Sequence, residues 1–223
     1  MRVCERMRVN VHRPEASIVR RAAETIRRGG VVAAPTDTLY GLLADARKPA
    51  AVREVFRIKR RPAHKPVLLL MDSLGRVRRV AHELPDALDA VAAAFWPGPL
   101  TVVLPARPEV PRTVTAGRGT VAVRVPRSPL VRALVRQAAC PLTGTSANLS
   151  GRSGATSARE VFTQLGGRVT MLLDAGRVTR PVPSTIVDLS SDSPCLLREG
   201  CIGQDAIDRV LLHAGLAQLA GRR

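Results

Sequence analysis

Four short turns carry the side chains of this sequence that could bind or activate a polar substrate. The first, residues 35–42, places the hydroxyls of Thr36 and Thr38 around the carboxylate of Asp37, directly after the apolar run 31–34. A turn that follows a buried strand can present such groups at the edge of a sheet, where they hydrogen-bond a small polar molecule. The other three turns have hydroxyl, amide or basic side chains and cover residues 59–62, 146–151 and 183–188. The sequence therefore predicts one site assembled from separate loops.

The turn at residues 59–62 is basic and offers the cations that a phosphate site needs. Lys59, Arg60 and Arg61 follow a predicted helix and precede Pro62. Lysine and arginine side chains bind phosphate oxygens. The glycine-rich phosphate-binding signatures G-x-x-x-x-G-K-[ST] and G-x-G-x-x-G are absent, so a phosphate site in this chain would use side chains. A basic triplet fits a solvated surface as well, and the sequence does not exclude that alternative.

The turn at residues 146–151 carries the hydroxyls of Ser146 and Ser150 and the amide of Asn148, and it closes with Gly151. These groups can hydrogen-bond ribose or phosphate. They equally satisfy the backbone of their own turn, as Ser and Asn side chains do in many loops. The sequence is compatible with both interpretations.

Arg124 lies inside an apolar series, between Val123 and Val125, at the end of a predicted strand. A charged side chain in such a place needs an anionic partner, and that partner is either a ligand or a structural carboxylate. Ser184 and Thr185 begin a later predicted strand, where they are either ligand contacts or residues that favour β-structure. In each case the sequence leaves both alternatives open.

Side chains for covalent or metal-dependent catalysis show no recognisable pattern. The four cysteines are scattered, without a Cys-x-x-Cys pair or a nearby histidine to complete a zinc site. The four histidines are not paired by any motif with a serine or cysteine nucleophile. We therefore expect free thiols and no metal held by the protein. The remaining cations and hydroxyls suit phosphoryl and nucleotidyl transfers, because those reactions depend on positioning and charge stabilisation.

Composition bounds the class of protein. A length of 223 residues fits one domain, and 45% hydrophobic residues suffice for a core. The net charge of +17 favours polyanions such as ATP or RNA, although arginines spread over a solvated surface explain it equally well. Aromatic residues make up 2%, so few rings are available to stack a base. No apolar run reaches the ~18 residues of a membrane span and no secretory signal is visible, so we expect a cytoplasmic protein without membrane contact.

Helical and strand patterns alternate along the chain and show which elements position the turns. Helices are predicted at residues 18–26, 50–58, 84–95, 130–138, 161–165 and 204–214, and strands at residues 31–34, 67–71, 100–104, 121–125, 141–145, 169–173, 185–189 and 195–198. Ser128 and Ser157 are predicted helix caps. The pattern predicts an α/β fold of the α+β type, with a single sheet flanked by helices, and the closely spaced late strands argue against a purely parallel sheet. We expect an N-terminal extension at residues 1–14, one domain at 15–214 and a flexible tail at 215–223.

Seven motifs, taken together and in order, resemble those of the threonylcarbamoyl-adenylate (threonylcarbamoyl-AMP) synthase family, which is built on the YrdC-like domain. They are Pro35–Leu42, the K-x-R-P form at 59–62, Trp96–Thr101, Val123–Pro126, Ser146–Gly151, Pro183–Thr185 and Arg198–Gly200. Each motif alone is weak, but seven in family order are specific. The resemblance implies a single YrdC-like domain whose twisted mixed sheet forms a concave basic cavity.

The resemblance also implies an activity, the synthesis of L-threonylcarbamoyl-AMP from L-threonine, bicarbonate or CO2, and ATP, with release of pyrophosphate. In this family a separate transferase complex passes the threonylcarbamoyl group to an adenosine beside the anticodon of certain tRNAs. The implied partners are the three substrates and that transferase complex, and a direct contact with tRNA is left open. Mg²⁺ would be bound mainly through the ATP phosphates.

The site residues follow from the resemblance, motif by motif. Lys59 and Arg61 would act in catalysis by neutralising charge on the phosphates. L-threonine would be held by Thr38, Arg124, Ser146 and Ser184. ATP would be held by Lys59, Arg61, Lys65, Thr120, Asn148, Thr156 and Arg198.

The chain also departs from the family pattern. Many relatives carry a histidine where this chain has Leu70, which cannot hydrogen-bond threonine, so that contact is missing or replaced. Longer relatives add a C-terminal domain that closes over the site, and here we expect closure by local loops or an open cavity. Two other functions stay as alternatives: a basic RNA-binding module without catalysis, and a carbamoyl-adenylate enzyme that serves another acceptor. The scarcity of aromatic residues counts against the RNA-binding module.

Overall fold

One mixed sheet runs through the computed structural model, which describes residues 4–179 and 181–220. The strands in those residues are β1 Glu5–Arg8, β2 Val32–Pro35, β3 Tyr40–Leu43, β4 Leu68–Leu70, β5 Leu100–Pro105, β6 Thr120–Arg124, β7 Leu142–Ser146, β8 Met171–Asp174, β9 Thr185–Asp188 and β10 Cys195–Arg198. They follow the order β1-β8-β2-β3-β7-β4-β6-β5-β9-β10. All ten strands therefore belong to one continuous sheet.

Parallel and antiparallel neighbours are interspersed across this sheet. The pairs β1/β8, β2/β8, β4/β6 and β5/β9 are parallel, whereas β2/β3, β3/β7, β4/β7, β5/β6 and β9/β10 are antiparallel. The prediction of a mixed sheet is confirmed. The register places Gly41 opposite Ser146 and Leu70 opposite Arg124, so residues of distant motifs lie on neighbouring strands.

Helices connect the strands, and residues 4–179 and 181–220 contain all six predicted helices together with two four-residue helices that were not predicted. Their bounds in the described residues are α1 Ala16–Arg27, α2 Pro49–Lys59, α3 Leu74–Val77, α4 Asp86–Phe95, α5 Arg112–Thr115, α6 Pro129–Ala138, α7 Ala158–Leu165 and α8 Gln204–His213. Both predicted caps form, because Ser128 Oγ accepts from the amide of Val131 at 3.4 Å and Ser157 Oγ accepts from that of Glu160 at 3.2 Å. None of the helices in the described part of the chain has the length and apolar composition of a membrane span.

Helix layers cover both faces of the sheet, and strand β2 shows how the sequence achieves this. Val32 and Ala34 pack in the cluster formed with α1 and α6, whereas Ala33 belongs to the larger cluster that includes α2, α4, α7 and α8. Successive residues of a strand point to opposite faces, so a strand covered on both sides is apolar throughout. All four residues of β2 are buried, and the turn that follows it is therefore anchored in the core.

Segments near both ends of the chain contact the rest of the fold. Strand β1 lies within the expected N-terminal extension, yet it pairs with β8 and continues the sheet. In the expected flexible tail, the Leu219 side chain is buried and its amide donates to Asp208 Oδ1 at 2.9 Å, while the Ala220 amide donates to Pro194 O at 2.7 Å. Residues 215–220 therefore pack against the domain, because a buried leucine anchors them. Residues 1–3 and 221–223 lie outside the described residues.

Candidate active site

The turn between β2 and β3 is held by the hydroxyl of Thr36. Its Oγ1 donates to Leu39 O at 2.7 Å and accepts from the amides of Thr38 at 3.0 Å and Leu39 at 3.2 Å. A hydroxyl that bonds the backbone of its own turn fixes the conformation of that turn. The side chains of Asp37 and Thr38 are thereby presented at its tip, and the Thr38 hydroxyl is itself buried.

Arg124 meets this turn from the end of β6. Its side chain is 5% exposed, and Nη2 lies 2.7 Å from Asp37 Oδ2. Nη1 donates to Thr38 Oγ1 at 3.2 Å, and Nε donates to Gly98 O at 2.9 Å. In this structure the anionic partner of Arg124 is therefore the carboxylate of Asp37. The ion pair is close but misaligned for hydrogen bonding, since Nη2 and both carboxylate oxygens are buried without a hydrogen-bond partner among the described residues.

Arg198, Ser184 and Thr101 form a second polar group beside Arg124. The Arg198 guanidinium donates to Ser184 O from Nη2 at 2.7 Å and from Nε at 3.2 Å, and Nη2 also donates to Ser184 Oγ at 3.2 Å. Ser184 Oγ lies 2.9 Å from Thr101 Oγ1. Burial of the guanidinium and, second, the nearby charge of Arg124 lower the pKa of Arg198. Two cations predicted to bind different substrates are therefore close enough to repel each other.

The hydroxyl of Thr185 holds the backbone that carries Arg198. Thr185 Oγ1 donates to Ile202 O at 2.6 Å and accepts from the amides of Gly200 at 3.0 Å and Ile202 at 2.9 Å. Gly200 is required by this close packing, since a Cβ on it would lie 2.2 Å from Pro183 O. Thr185 is therefore a structural residue of the site, and Ser184 is the residue of this turn that faces the cations.

Lys59 lies at the end of α2, and its side chain is buried under the turn at residues 146–151. Its Nζ donates to Ser146 O, to Asn148 O at 2.9 Å and to Asn148 Oδ1 at 3.2 Å. Burial and, second, the charge of Arg61 lower the pKa of Lys59 to about 8. Lys59, Ser146 and Asn148 are thus brought together as predicted, but their mutual bonds are internal to the protein.

Asn148 and Thr156, both predicted to bind ATP, are also engaged within the protein. Asn148 Nδ2 donates to Leu149 O at 2.8 Å and to Arg152 O at 2.6 Å. Thr156 Oγ1 donates to the carboxylate of Glu160 at 3.0 Å, and the Thr156 amide donates to the same carboxylate at 2.8 Å. A ligand would have to replace these bonds or approach the residues through their backbone.

Arg61 differs from Lys59 because part of its donor capacity is unused. Nη2 donates to Pro66 O at 2.8 Å, and the guanidinium lies 5.9 Å from the centre of the Phe56 ring. Nε is buried and has no hydrogen-bond partner within the described residues. Burial lowers the pKa of Arg61. A half-buried cation with a buried, unpaired donor is suited to an anionic ligand.

Strand β3 joins the turn that carries Thr38 to the loop that Lys59 holds. The Ala147 amide donates to Tyr40 O at 2.7 Å, and the Tyr40 amide donates to Ala155 O at 3.0 Å. A Cβ on Gly154 would lie 2.6 Å from Leu39 Cδ1. The turn that carries Thr38 therefore packs directly against the loop that follows Ser146.

Two of the predicted ATP residues stand apart from this cluster. Lys65 is exposed, and Thr120 begins β6, whereas Arg124 ends it. Within the described residues, no side-chain hydrogen bond joins either one to the other predicted site residues.

Leu70 is a core residue that packs over Gly144, where an added Cβ would lie 2.8 Å from Leu70 Cγ. A cavity of about 590 Å³ lies elsewhere, between β1 and α1.

Asp37, Gly98 and Thr101 complete the cluster. The sequence placed the Asp37 carboxylate in the first candidate turn without giving it a partner, and it did not assign Gly98 or Thr101 to the site. Asp37 lies inside the first motif, and Gly98 and Thr101 lie inside the Trp96–Thr101 motif. Membership of a motif was the available signal. The partner of each residue could not be read from the sequence, because the contacts join strands far apart along the chain.

Comparisons with known proteins place this geometry in a family. The Sua5/YciO/YrdC family model, described as "Telomere recombination", matches residues 24–200. A threonylcarbamoyl-AMP synthase of Pyrococcus abyssi is 39% identical over 193 residues, which are 86% of this chain and 57% of that protein. A threonylcarbamoyl-AMP synthase of Thiobacillus denitrificans is 41% identical over 167 residues, which are 74% of this chain and 88% of that protein.

A solved structure is similar over almost the whole chain. The crystal structure of P. abyssi Sua5 complexed with L-threonine superposes with a TM-score of 0.90 at 36% identity, covering 98% of this chain and 62% of that chain. The chain thus spans just over half the length of the P. abyssi relative. The family model matches most of the chain, and the chain covers 88% of a relative that is 41% identical. On these grounds the chain belongs to the Sua5/YciO/YrdC family.

Proposed function

We propose that the chain synthesises L-threonylcarbamoyl-AMP from L-threonine, bicarbonate or CO2, and ATP, and releases pyrophosphate. The observation that carries the proposal is the convergence of Thr38, Arg124, Ser184 and Arg198 into one polar cluster. Family members in P. abyssi and T. denitrificans carry the name threonylcarbamoyl-AMP synthase. A solved relative that superposes on 98% of the chain was crystallised with L-threonine.

Arg124 and Thr38 are the proposed contacts for the amino acid. The Nη2 group of Arg124 is buried and has no hydrogen-bond partner in the described residues, so it has donors left for a carboxylate. The substrate carboxylate would either bind this guanidinium together with Asp37 or displace Asp37 from it. The hydroxyls of Thr38 and Ser184 would contact the polar atoms of threonine, and Ser146 would approach from the adjacent loop.

The proposed reaction has two bond-forming steps. The amine of threonine attacks CO2, an N–C bond forms and a proton leaves, which gives a carbamate. A carbamate oxygen then bonds to the α-phosphorus of ATP in line with the breaking bond to the β-phosphate, and pyrophosphate leaves. Negative charge on the phosphates needs fixed cations, and Arg61 and Arg198 are the proposed source. Lys65, Thr120, Asn148 and Thr156 remain proposed ATP contacts that no contact in the structure supports.

Mg²⁺ is the proposed cofactor, and the residues of the cluster suit a metal held by the nucleotide. Among the described residues, no group of three or more His, Cys, Asp and Glu side chains is placed to hold a metal ion. The cluster is instead rich in arginine. Mg²⁺ usually keeps several waters and is held through substrate phosphates and few protein groups, and it would supply further neutralisation of the phosphate charge there.

The product would serve a separate transferase. A mixed carbamic–phosphoric anhydride is an activated acyl donor, so a second protein that transfers the threonylcarbamoyl group to a tRNA adenosine is the proposed partner. We propose the cytoplasm as the compartment, since ATP and tRNA meet there. Direct contact with tRNA is compatible with the net charge of +17.

Pyrophosphate release by the purified chain tests the proposed function. ATP, Mg²⁺ and bicarbonate would be supplied with L-threonine, L-serine or L-valine, and Arg124→Met would serve as the site variant. We expect release that requires both threonine and bicarbonate and that is lost in the variant. Release that is equal for all three amino acids, or that is absent, would overturn the proposal. Salt-sensitive RNA binding without any release would favour the basic RNA-binding module instead.

A further inference from the structure

All three hydrogens of the Lys59 ammonium are used inside the protein. The Nζ atom donates to two backbone carbonyls, those of Ser146 and Asn148, and to the Asn148 side-chain oxygen. A lysine ammonium has three donors and no acceptor. The side chain is 2% exposed, so no donor of Lys59 is left for a phosphate oxygen in this conformation.

Lys59 holds the loop that follows β7 at more than one point. Its side chain binds on both sides of Ala147, and its own carbonyl accepts from the Ser150 amide at 2.8 Å. The Asn148 amide group closes the loop further, because it donates to Leu149 O and Arg152 O. Loss of the ammonium would leave the two acceptors of Asn148 unpaired, whereas Ser146 O keeps the Asn148 backbone amide at 3.0 Å. Buried acceptors are costly to leave without a donor.

The neighbouring cation Arg61 differs from Lys59 because one of its donors has no partner within the described residues. Its buried Nε has no hydrogen-bond partner in the described residues, and no carboxylate there lies within ion-pair distance of it. Two cations of one basic motif therefore have different capacities for a ligand. Lys59 is saturated by the protein, whereas Arg61 has an unused donor.

We propose that Lys59 is a positioning residue, which acts on the reaction through the loop at residues 146–150 and does not touch the phosphates. Arg61 is the cation of this motif that binds them. This inference rests on the proposed function for its kinetic consequence, but the mechanical part, Lys59 holding the loop, is independent of any substrate. The basic motif is thus divided between one residue that shapes the site and one that contacts the nucleotide.

Backbone hydrogen exchange without nucleotide tests the mechanical part. Lys59→Met should speed exchange of the Ser150 amide and its neighbours by about tenfold or more, because a hydrogen-bonded charged group is removed. Arg61→Met is the matched control, with the same replacement two residues away, and it should leave exchange in this loop as in the wild type. Unchanged exchange in Lys59→Met would overturn the proposal. This outcome does not depend on whether the chain is an enzyme.

Nuclear magnetic resonance of the lysine ammonium groups tests the same idea in the wild-type chain, so a variant that fails to fold does not weaken it. The chain has three lysines, Lys48, Lys59 and Lys65, and ¹⁵N-lysine labelling gives one side-chain signal for each. The Lys59 signal should keep its position when a non-hydrolysable ATP analogue with Mg²⁺ saturates the protein. A clear change in the chemical shift of the Lys59 ammonium, while backbone hydrogen exchange of residues 146–150 stays the same on binding, would show direct contact with the nucleotide. That result would contradict the proposal. Absence of any analogue binding would count against the proposed function, and the exchange experiment would then decide on Lys59.

Discussion

Asp37 and Arg124 form a buried ion pair, with Oδ2 and Nη2 2.7 Å apart, between the β2–β3 turn and the end of β6. The two side chains are 13% and 5% exposed. Taking both charges out of water is costly, so each depends on the other and on the hydrogen bonds of Arg124 to Gly98 and Thr38. The pair therefore couples the first motif of the chain to the strand that carries the proposed carboxylate contact.

Replacement of Asp37 by Asn should destabilise the fold, because it leaves the Arg124 charge buried without an anion. We expect the free energy of unfolding to fall by about 3 kcal/mol or more, the usual effect of breaking a buried pair. Urea unfolding measures it, and Asp192→Asn at an exposed position is the control. A loss no larger than that of the control would mean that the ion pair contributes nothing to stability.

Replacement of Arg61 by Met should weaken the binding of ATP but not that of threonine. Arg61 has the unpaired buried donor of the basic motif, and loss of one charge-assisted contact to phosphate costs about tenfold or more in affinity. The KM for ATP should rise while the KM for threonine stays near the wild-type value. Arg60→Met is the matched control, since Arg60 is adjacent and exposed. Equal KM values for ATP in the two variants would remove Arg61 from the nucleotide site.

Gly200→Ala should disturb the turn that holds Arg198. The new Cβ would lie 2.2 Å from Pro183 O, so the backbone must shift at a cost of about 1–3 kcal/mol. Thermal unfolding should show the loss, and kcat/KM should fall because the guanidinium on Ser184 moves with the turn. Gly203→Ala is the control, since its nearest contact is 3.4 Å away on a flexible side chain. Equal thermal stability and equal kcat/KM in the two variants would argue against a tightly packed turn.

The stability of the chain should depend on pH through Lys59. The pKa of this lysine is lowered from 10.5 to about 8 in the folded state, first by burial and then by the charge of Arg61. The penalty for burying its charge is fully present below about pH 8. It is relieved as the pH rises towards 10.5, because the unfolded chain binds more protons over that window.

Unfolding at pH 7.5, 8.5 and 9.5 checks this sign. The free energy of unfolding of the wild type, measured relative to Lys59→Met, should rise with pH above about 8, with a slope of at most about 1.4 kcal/mol per pH unit. The variant serves as the reference because it keeps all other titrating groups. A difference that falls as the pH rises would contradict the lowered pKa.

The sequence predicts the fold well where local patterns decide it. The predicted strand at 195–198 and the cap at Ser128 are confirmed, because alternation and capping are local properties. Strand β3 was missed, since it is buried on both faces, contains Gly41 and shows no alternation. Residues 215–220, expected as a flexible tail, contact the domain through the buried Leu219, whose partner surface lies outside the local sequence.

The structure brings Thr38, Arg124, Ser184 and Arg198 together, but the sequence did not give the pairing of these side chains. Arg124 was expected to need an anion, and the structure supplies Asp37. The strand pattern alone did not show whether Ser184 or Thr185 contacts a ligand. The bonds of Thr185 to Ile202 make it structural. Such choices depend on contacts between distant strands, which no pattern of neighbouring residues encodes.

Mass spectrometry of the product formed from ¹³C-bicarbonate tests the central claim, that one cluster joins an amino acid to a nucleotide through a carbamate. The purified chain would be supplied with ATP, Mg²⁺, L-threonine and labelled bicarbonate. We predict an adduct of AMP and threonine that carries one ¹³C atom, formed together with pyrophosphate. An AMP adduct without the label, or no adduct from a folded protein, would contradict the account.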